Sequence, residues 1–296
     1  MKTSLSVPRG FDFEATVKSH GWYSLPPFSY DVSGLKHVLM IGDRATTLCI
    51  APRKKNALTI EFSSGTKPAI ARAVRTILQL DEDLAPFYAL TDLHPRLGYA
   101  RKRGAGRMLR APSAFENVIK MLLTTNCSWS FTTIMVNRLV DGMGARAADG
   151  LRAFPTPEAM AKKNERYYRE VIRAGYRAPH LVKLARAVTK GRLDLEALAA
   201  EGDAEKLRDD LLELPGIGPY AADNLMRIFG AYQHLGLDSW CRARIKKIYP
   251  RVRDVDAFAN KNYRAFGRFQ GLAMWLDLTR EWHEKELSPK EEQLTL

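Results

Sequence analysis

The sequence predicts an α+β fold, with a small antiparallel-sheet domain at the N-terminus and a longer all-helical region after it. Two observations carry this. Over the first ninety or so residues, short runs rich in apolar and β-branched residues are separated by Gly and Asn turns. From Pro112 onward, apolar residues recur at helical spacing, with no credible strand and no internal repeat.

The first domain, residues 1–92, reads in order as a short helix over Phe13 to His20, ended by Gly21. Strands follow at His37–Met40, Thr46–Ala51 and Ala57–Phe62, with turns at Gly42-Asp43 and Arg53 to Asn56. A helix from Lys67 to Leu80 closes the domain, with Ile70, Val74, Ile77 and Leu78 on one side. Residues 93–111 are rich in Gly and hold Arg96, Arg101, Lys102, Arg103, Arg107 and Arg110. They read as a basic connection, one that either touches phosphates or is simply solvated.

In the helical region, residues 112–283, Ser113 is the expected N-cap of the first helix, with Glu116 as its capping-box partner. Phe115, Val118, Ile119, Leu122 and Leu123 mark that helix's apolar face. Further helices are expected at Phe131–Val140, Pro157–Lys163, Tyr167–Ala174, Pro179–Lys190, Leu193–Ala200 and Asp203–Leu212. Others follow at Pro219–Phe229, Ser239–Tyr249, Val255–Asn260 and Arg264–His283. Residues 284–296 form a charged tail.

Composition narrows the function. Hydrophobic residues make up 46% of the 296, which argues against a disordered chain. Lys and Arg number 46 against 33 Asp and Glu, and the net charge of +13 favours a polyanionic partner, nucleic acid above all. No apolar run is long enough to span a bilayer, and Met1 to Phe13 lacks a signal core, so the expected location is the cytoplasm or nucleoid, or a nucleus. Cys49, Cys127 and Cys241 are too few for an iron–sulfur cluster or a four-thiolate zinc site. The scattered histidines form no H-E-x-x-H cluster of a metal-dependent hydrolase.

The most informative segment is Leu211 to Arg244, LLELPGIGPYAADNLMRIFGAYQHLGLDSWCRAR. A helix runs into Leu214, and Pro215-Gly216-Ile217-Gly218 makes a tight reversal in which glycines can take positive φ. Pro219 suits the first position of a second helix, and Gly230 its end. The exposed amides of such a reversal, with the following helix N-terminus, form a site for a DNA phosphate. A plain helix–turn–helix connection would look the same. Asp238 lies 20 residues past Gly218 and opens the next helix as an N-cap. Many Asp residues cap helices and do no more. A carboxylate beside a phosphate-gripping hairpin also suits glycosidic bond cleavage, in which positive charge builds on the sugar.

These residues resemble the helix-hairpin-helix DNA glycosylase superfamily. L-P-G-I-G-P-Y followed by L-D-S-W-C-R matches both halves of its hallmark. A-F-E-N-V-I-K-M-L-L-T-T-N, F-P-T-P-E-A-M-A and A-G-Y-R-A-P-H-L-V-K-L-A are similar to further stretches of the family, so the likeness runs from about Pro112 to Arg280. It implies a two-lobed helical core, with Asp238 stabilising a sugar cation and aiding water attack at C1′. It implies that Leu214, Gly216, Ile217, Gly218, Pro219 and Tyr220 surround a phosphate contact. A structural Na⁺ or K⁺ would sit on the carbonyls of Leu212, Leu214 and Ile217, with no other cofactor required. Asn126 falls where the family fills the gap left by a flipped base, though helix capping is a rival role. Arg242 and Arg244, close behind Asp238, are candidate phosphate contacts, as are Lys246 and Lys247. Trp129, Tyr220, Trp240 and Trp275 are candidates for the base pocket, with packing in the core the simpler reading of each.

Two departures sort the branches. Strand-cutting members carry a Lys where this chain has Tyr220, and the cluster-bearing branch has four C-terminal cysteines that are missing after Cys241. The resemblance therefore points to the monofunctional alkylation-repair branch, the DNA-3-methyladenine glycosylase II type. The expected partner is duplex DNA with a damaged base, bound by a monomer, with no membrane. An 8-oxoguanine-type or other-lesion enzyme and a non-catalytic hairpin DNA-binding protein are the alternatives.

Overall fold

The structure, a computed structural model, describes residues 1–54 and 56–284. Apart from Glu284, which ends the last helix, the tail expected at 284–296 lies outside the described residues.

The N-terminal sheet has five antiparallel strands: β1 Lys2–Ser6, β2 Ser29–Asp31, β3 Gly34–Ile41, β4 Arg44–Arg53 and β5 Ala57–Phe62. Their order across the sheet is β1-β5-β4-β3-β2. The three central strands are those the alternation predicts. Ile41 pairs with Arg44 across the Gly42-Asp43 turn, where Gly42 takes a φ of +58°. The two edge strands carry weaker signals. β1 is mostly polar and exposed on alternate residues, and β2 has three residues. Leu48, Ile50, Leu58, Ile60 and Phe62 are buried against the helix Lys67–Ile77, whose Ile70, Val74 and Ile77 are the expected inner residues.

Two apolar clusters define the rest. The first joins the sheet to the helices Ala114–Thr124, Trp129–Met143, Ala178–Thr189, Ala204–Leu212 and Pro219–Ile228. The second joins Leu84, Phe87, Leu97, Ala100 and Met108 to the helices Ser239–Ile248, Val255–Tyr263 and Gln270–Glu284. The chain thus crosses from the sheet to the C-terminal lobe early, then returns. The expected basic connection at 93–111 is therefore no solvated linker. It contains the helix Gly98–Arg103 and buries Leu97, Ala100, Ala105 and Met108. Its cations are largely spent inside the protein. Arg96 bonds the buried Asp277, Arg107 donates to the Glu82 carbonyl at 2.9 Å, and Arg110 stacks on Phe229 with its guanidinium 4.7 Å from the ring centre.

Two local expectations need correction. The last helix does not run unbroken from Arg264. Gly267, at a φ of +54°, kinks the 3₁₀ segment Arg264–Phe269 from within, because a residue at positive φ cannot continue a right-handed helix, and the regular helix is Gln270–Glu284. The capping box at Ser113 is half formed. Ser113 Oγ accepts the Glu116 amide at 3.2 Å, but the Glu116 side chain turns inward and accepts from Lys120 Nζ at 2.5 Å. Both side chains are buried, and the ammonium lies 4.9 Å from the Phe28 ring centre and 5.7 Å from those of Trp22 and Phe154. This pair ties the first helical lobe to the sheet domain.

Breaking a buried ion pair from one side leaves an uncompensated charge. Lys120→Ala is expected to lower unfolding free energy by about 3–5 kcal/mol. The paired change Glu116→Leu with Lys120→Met should recover most of that loss. Urea denaturation followed by circular dichroism would measure both.

Candidate active site

The hairpin joins the helices Ala204–Leu212 and Pro219–Ile228. Its turn closes through Leu214 N to Leu211 O at 3.1 Å and Ile217 N to Leu214 O at 3.0 Å. Leu214 and Ile217 bury their side chains and anchor the turn to the core, while Gly218 and Pro219 are exposed.

The two glycines differ. Gly216 takes a φ of +81°, and a Cβ there would lie 2.7 Å from His180 Cγ and 2.8 Å from Leu122 Cδ1. Its lack of a side chain serves close packing on those two residues. Gly218 has an ordinary φ of −100°, and a Cβ there would meet nothing within 4 Å. The open approach to the turn is therefore at Gly218, beside the first-turn amides of Tyr220 and Ala221, which have no intrahelical acceptor.

Asp238 is the N-cap of the helix Ser239–Ile248, with extended backbone angles, and its Oδ1 accepts the Cys241 amide at 2.6 Å. It is half-buried. Three groups lie within its electrostatic reach. Burial first, and Asp238 second, push the Cys241 thiol up to about 12, so it stays protonated. Burial raises the Tyr220 phenol above its usual range, opposed by the Thr124 hydroxyl and reinforced by Asp238. Arg227 is the third, with its acidity increased chiefly by burial. Tyr220, where the resemblance expects a lysine in strand-cutting members, is thus within electrostatic reach of the carboxylate.

The four aromatic candidates divide between the lobes. Tyr220 and Trp129 pack on the first cluster, Trp240 and Trp275 on the second. Trp240, Trp275 and Trp282 form a group with ring centres 5.7–5.8 Å apart. A turn of the N-terminal domain, Ser19 to Gly21, runs between the two sets. Ser19 O accepts from Trp275 Nε1 at 2.9 Å, and Gly21 lies so close to Trp129 that a Cβ would be 2.6 Å from the indole.

No protein-family model matches the chain. A probable N-glycosylase/DNA lyase of Methanothermobacter thermautotrophicus is 24% identical over 288 residues, covering 88% of this chain and 91% of that protein. The solved 3-methyladenine DNA glycosylase from Archaeoglobus fulgidus superposes with a TM-score of 0.74 at 20% identity, over 94% of this chain and 98% of that one. The apo 8-oxoguanine glycosylase/lyase of Clostridium acetobutylicum gives 0.73 at 16% identity, over 94% and 95%. These likenesses are to DNA glycosylases, and the superpositions show that the chain has their fold.

Not every cation near Asp238 is free to meet an incoming polyanion. Arg242 forms a two-pronged pair with Asp256 at 2.9 Å on each arm, and Arg244 donates to Leu278 O at 3.0 Å and pairs with Glu281 at 2.8 Å. Both expected phosphate contacts are thus engaged internally, whereas Lys246 and Lys247 are exposed. Asn126 stands exposed on the loop between the helices Ala114–Thr124 and Trp129–Met143, at a φ of +47°. It does not cap the second helix, since Ser128 does so by accepting the Phe131 amide. Instead its Nδ2 donates to the Tyr176 hydroxyl at 3.1 Å. Tyr176 is 48% exposed, and the buried Arg177 next to it holds the loop by donating to Thr125 O.

Sequence reasoning missed Tyr176, Thr124 and Arg227. Arg227 alone left a signal, as a cation inside the apolar run Leu225-Met226-Arg227-Ile228-Phe229. Among the described residues no helix is long and apolar enough to cross a membrane, and no group of three or more His, Cys, Asp or Glu could hold a metal ion.

The contrast between the glycines is testable. Gly216→Ala should lose about 1–3 kcal/mol of stability, from strained φ and overpacking. Gly218→Ala should keep wild-type stability yet weaken binding to duplex DNA, because it alone adds bulk on the open side. Thermal melting and fluorescence anisotropy would separate the two effects.

Proposed function

We propose that the protein is a monofunctional DNA glycosylase. In this reading it extrudes a damaged, alkylated base from duplex DNA and hydrolyses the N-glycosidic bond without cutting the strand. The observation that carries the reading is the pairing of a half-buried, amide-bound Asp238 with a tyrosine at the lysine position.

The chemistry follows from the residues. As the bond to the base breaks, positive charge grows on the sugar, and the Asp238 carboxylate stabilises it. Water then adds at C1′. Strand cutting would need a lysine amine able to form an imine at C1′, and the Tyr220 phenol cannot do this. Lys120 is locked inside on Glu116, and Lys206 is engaged by Glu201 and Asp210. Gly218 and the amides that follow it grip a phosphate, which positions DNA without reading its sequence. Asn126, braced by Tyr176, fills the space left by the extruded nucleotide. The base stacks among Tyr220, Trp240 and Trp275.

A monovalent cation fits the hairpin's donor set. The Leu214 carbonyl already accepts the Ile217 amide, while the carbonyls of Leu212 and Ile217 accept none of the loop bonds among the described residues. Such an ion would add positive charge where the phosphate approaches.

A strand-cutting, 8-oxoguanine-type activity is the second reading, favoured by the names of the Methanothermobacter and Clostridium proteins. Tyr220 weighs against it, and Asp238 weighs against a purely DNA-binding role, since a carboxylate beside phosphates only repels them.

Asp238→Asn keeps the capping oxygen and removes the charge. It should cut single-turnover base release by well over tenfold, the equivalent of about 1.4 kcal/mol, with duplex binding unchanged or tighter. Breaks in the product strand should appear only after hot alkali, and borohydride should trap no covalent complex. A trapped complex lost on changing one lysine would move the protein to the strand-cutting class.

A further inference from the structure

Arg227 is the least expected group near the site. It lies on the second hairpin helix and is 2% exposed. Its Nη1 donates to Asn224 Oδ1 and its Nη2 to Leu235 O, both at 2.8 Å. Its Nε is buried without a partner among the described residues. Its guanidinium carbon lies 5.0 Å from the Trp275 ring centre. No carboxylate among the described residues forms an ion pair with it. The nearby Asp223 is taken by Arg208 at 2.8 Å, and Asp238 acts on it only at longer range. An arginine keeps its proton even when buried. A cation so deeply buried and so poorly paired is costly unless its charge is used.

We propose that Arg227 sets the charge selectivity of the base pocket, favouring neutral damaged bases and rejecting cationic N-alkylated purines. This rests on the reading of Trp275 as a pocket wall. An aromatic face attracts a cation through its quadrupole, and the Trp275 indole already carries one. A cationic base stacked there meets a like charge in a site of low dielectric, which opposes its entry. A neutral base gains instead. When its C1′–N bond breaks, the electron pair leaves with the base, which becomes an anion. Water then adds hydroxide to C1′, and its remaining proton goes to the departing base. The fixed guanidinium stabilises that developing anion, as Asp238 stabilises the sugar cation. A cationic base departs neutral and draws no such help. Neutral exocyclic adducts and deaminated purines therefore fit the site better than methylated, positively charged ones.

The test is single-turnover base release from duplexes with one lesion each, ethenoadenine and hypoxanthine against 7-methylguanine and 3-methyladenine. Wild type should release at least one neutral lesion at least tenfold faster than either cationic one, each rate taken relative to spontaneous loss. Arg227→Met should slow neutral release at least tenfold and leave cationic release unchanged or faster, while Arg227→Lys should keep the wild-type preference. Equal loss on both classes in Arg227→Met, or a wild type that favours 7-methylguanine, would overturn the proposal. If Arg227→Met does not fold, the wild-type ratio and Arg227→Lys decide alone. Release of no lesion by wild type would instead count against the glycosylase reading on which the proposal rests.

Discussion

The carboxylate proposed to work beside DNA has to be held in place against the repulsion of phosphates. Here one hydrogen bond does this, from the Cys241 amide to Asp238 Oδ1 at 2.6 Å. It fixes the side chain at the positive end of a helix of ten residues, where a negative charge is favoured. Most of the surrounding structure aims that helix end. Cys241 and Ile245 bury its inner face in the C-terminal lobe, and Arg227 grips Leu235 O on the loop that leads into it.

The lobes are held in register by equally specific contacts. Asp277, on the same helix as Trp275, is completely buried and accepts from the hydroxyls of Tyr249 and Tyr263 at 2.5 Å each, as well as from Arg96. Such a fully satisfied buried carboxylate rigidifies the helix that carries it. On the other side, Ser19 to Trp22 bind both lobes. The Leu109 amide donates to Ser19 Oγ at 2.8 Å, and His20 Nε2 lies 2.7 Å from the Leu109 carbonyl. Burial drives the His20 pKa down to about 4, so the ring is neutral at physiological pH and its hydrogen bond does not depend on a charge. The sheet domain is thus part of the site's frame, and Gly21 brings it against Trp129.

Much of this was legible in the sequence. The Gly-Pro reversal and Asp238 twenty residues beyond it fall where local rules put them, because turns and caps are written in adjacent residues. The apolar stripes of the helices at 67, 114 and 219 were readable for the same reason. What failed was long-range. The basic run at 93–111 looked like a linker because the partners of its arginines, Asp277 and Phe229, lie more than a hundred residues away. Arg242 and Arg244 looked available to phosphate because their partners, Asp256 and Glu281, lie on other helices. Tyr176 and Asn126 meet only because two loops fold together, and nothing in either segment encodes that contact.

The central claim is that Asp238 stabilises positive charge on the sugar. The most direct measurement compares affinity for two duplexes with uncleavable abasic analogues, one with a cationic pyrrolidine in place of the sugar and one with neutral tetrahydrofuran. A site shaped for the transition state binds the cationic analogue more tightly. The wild-type protein should prefer the pyrrolidine by at least tenfold, and Asp238→Asn should lose that preference while still binding tetrahydrofuran DNA. An equal preference in both proteins would contradict the role assigned to Asp238.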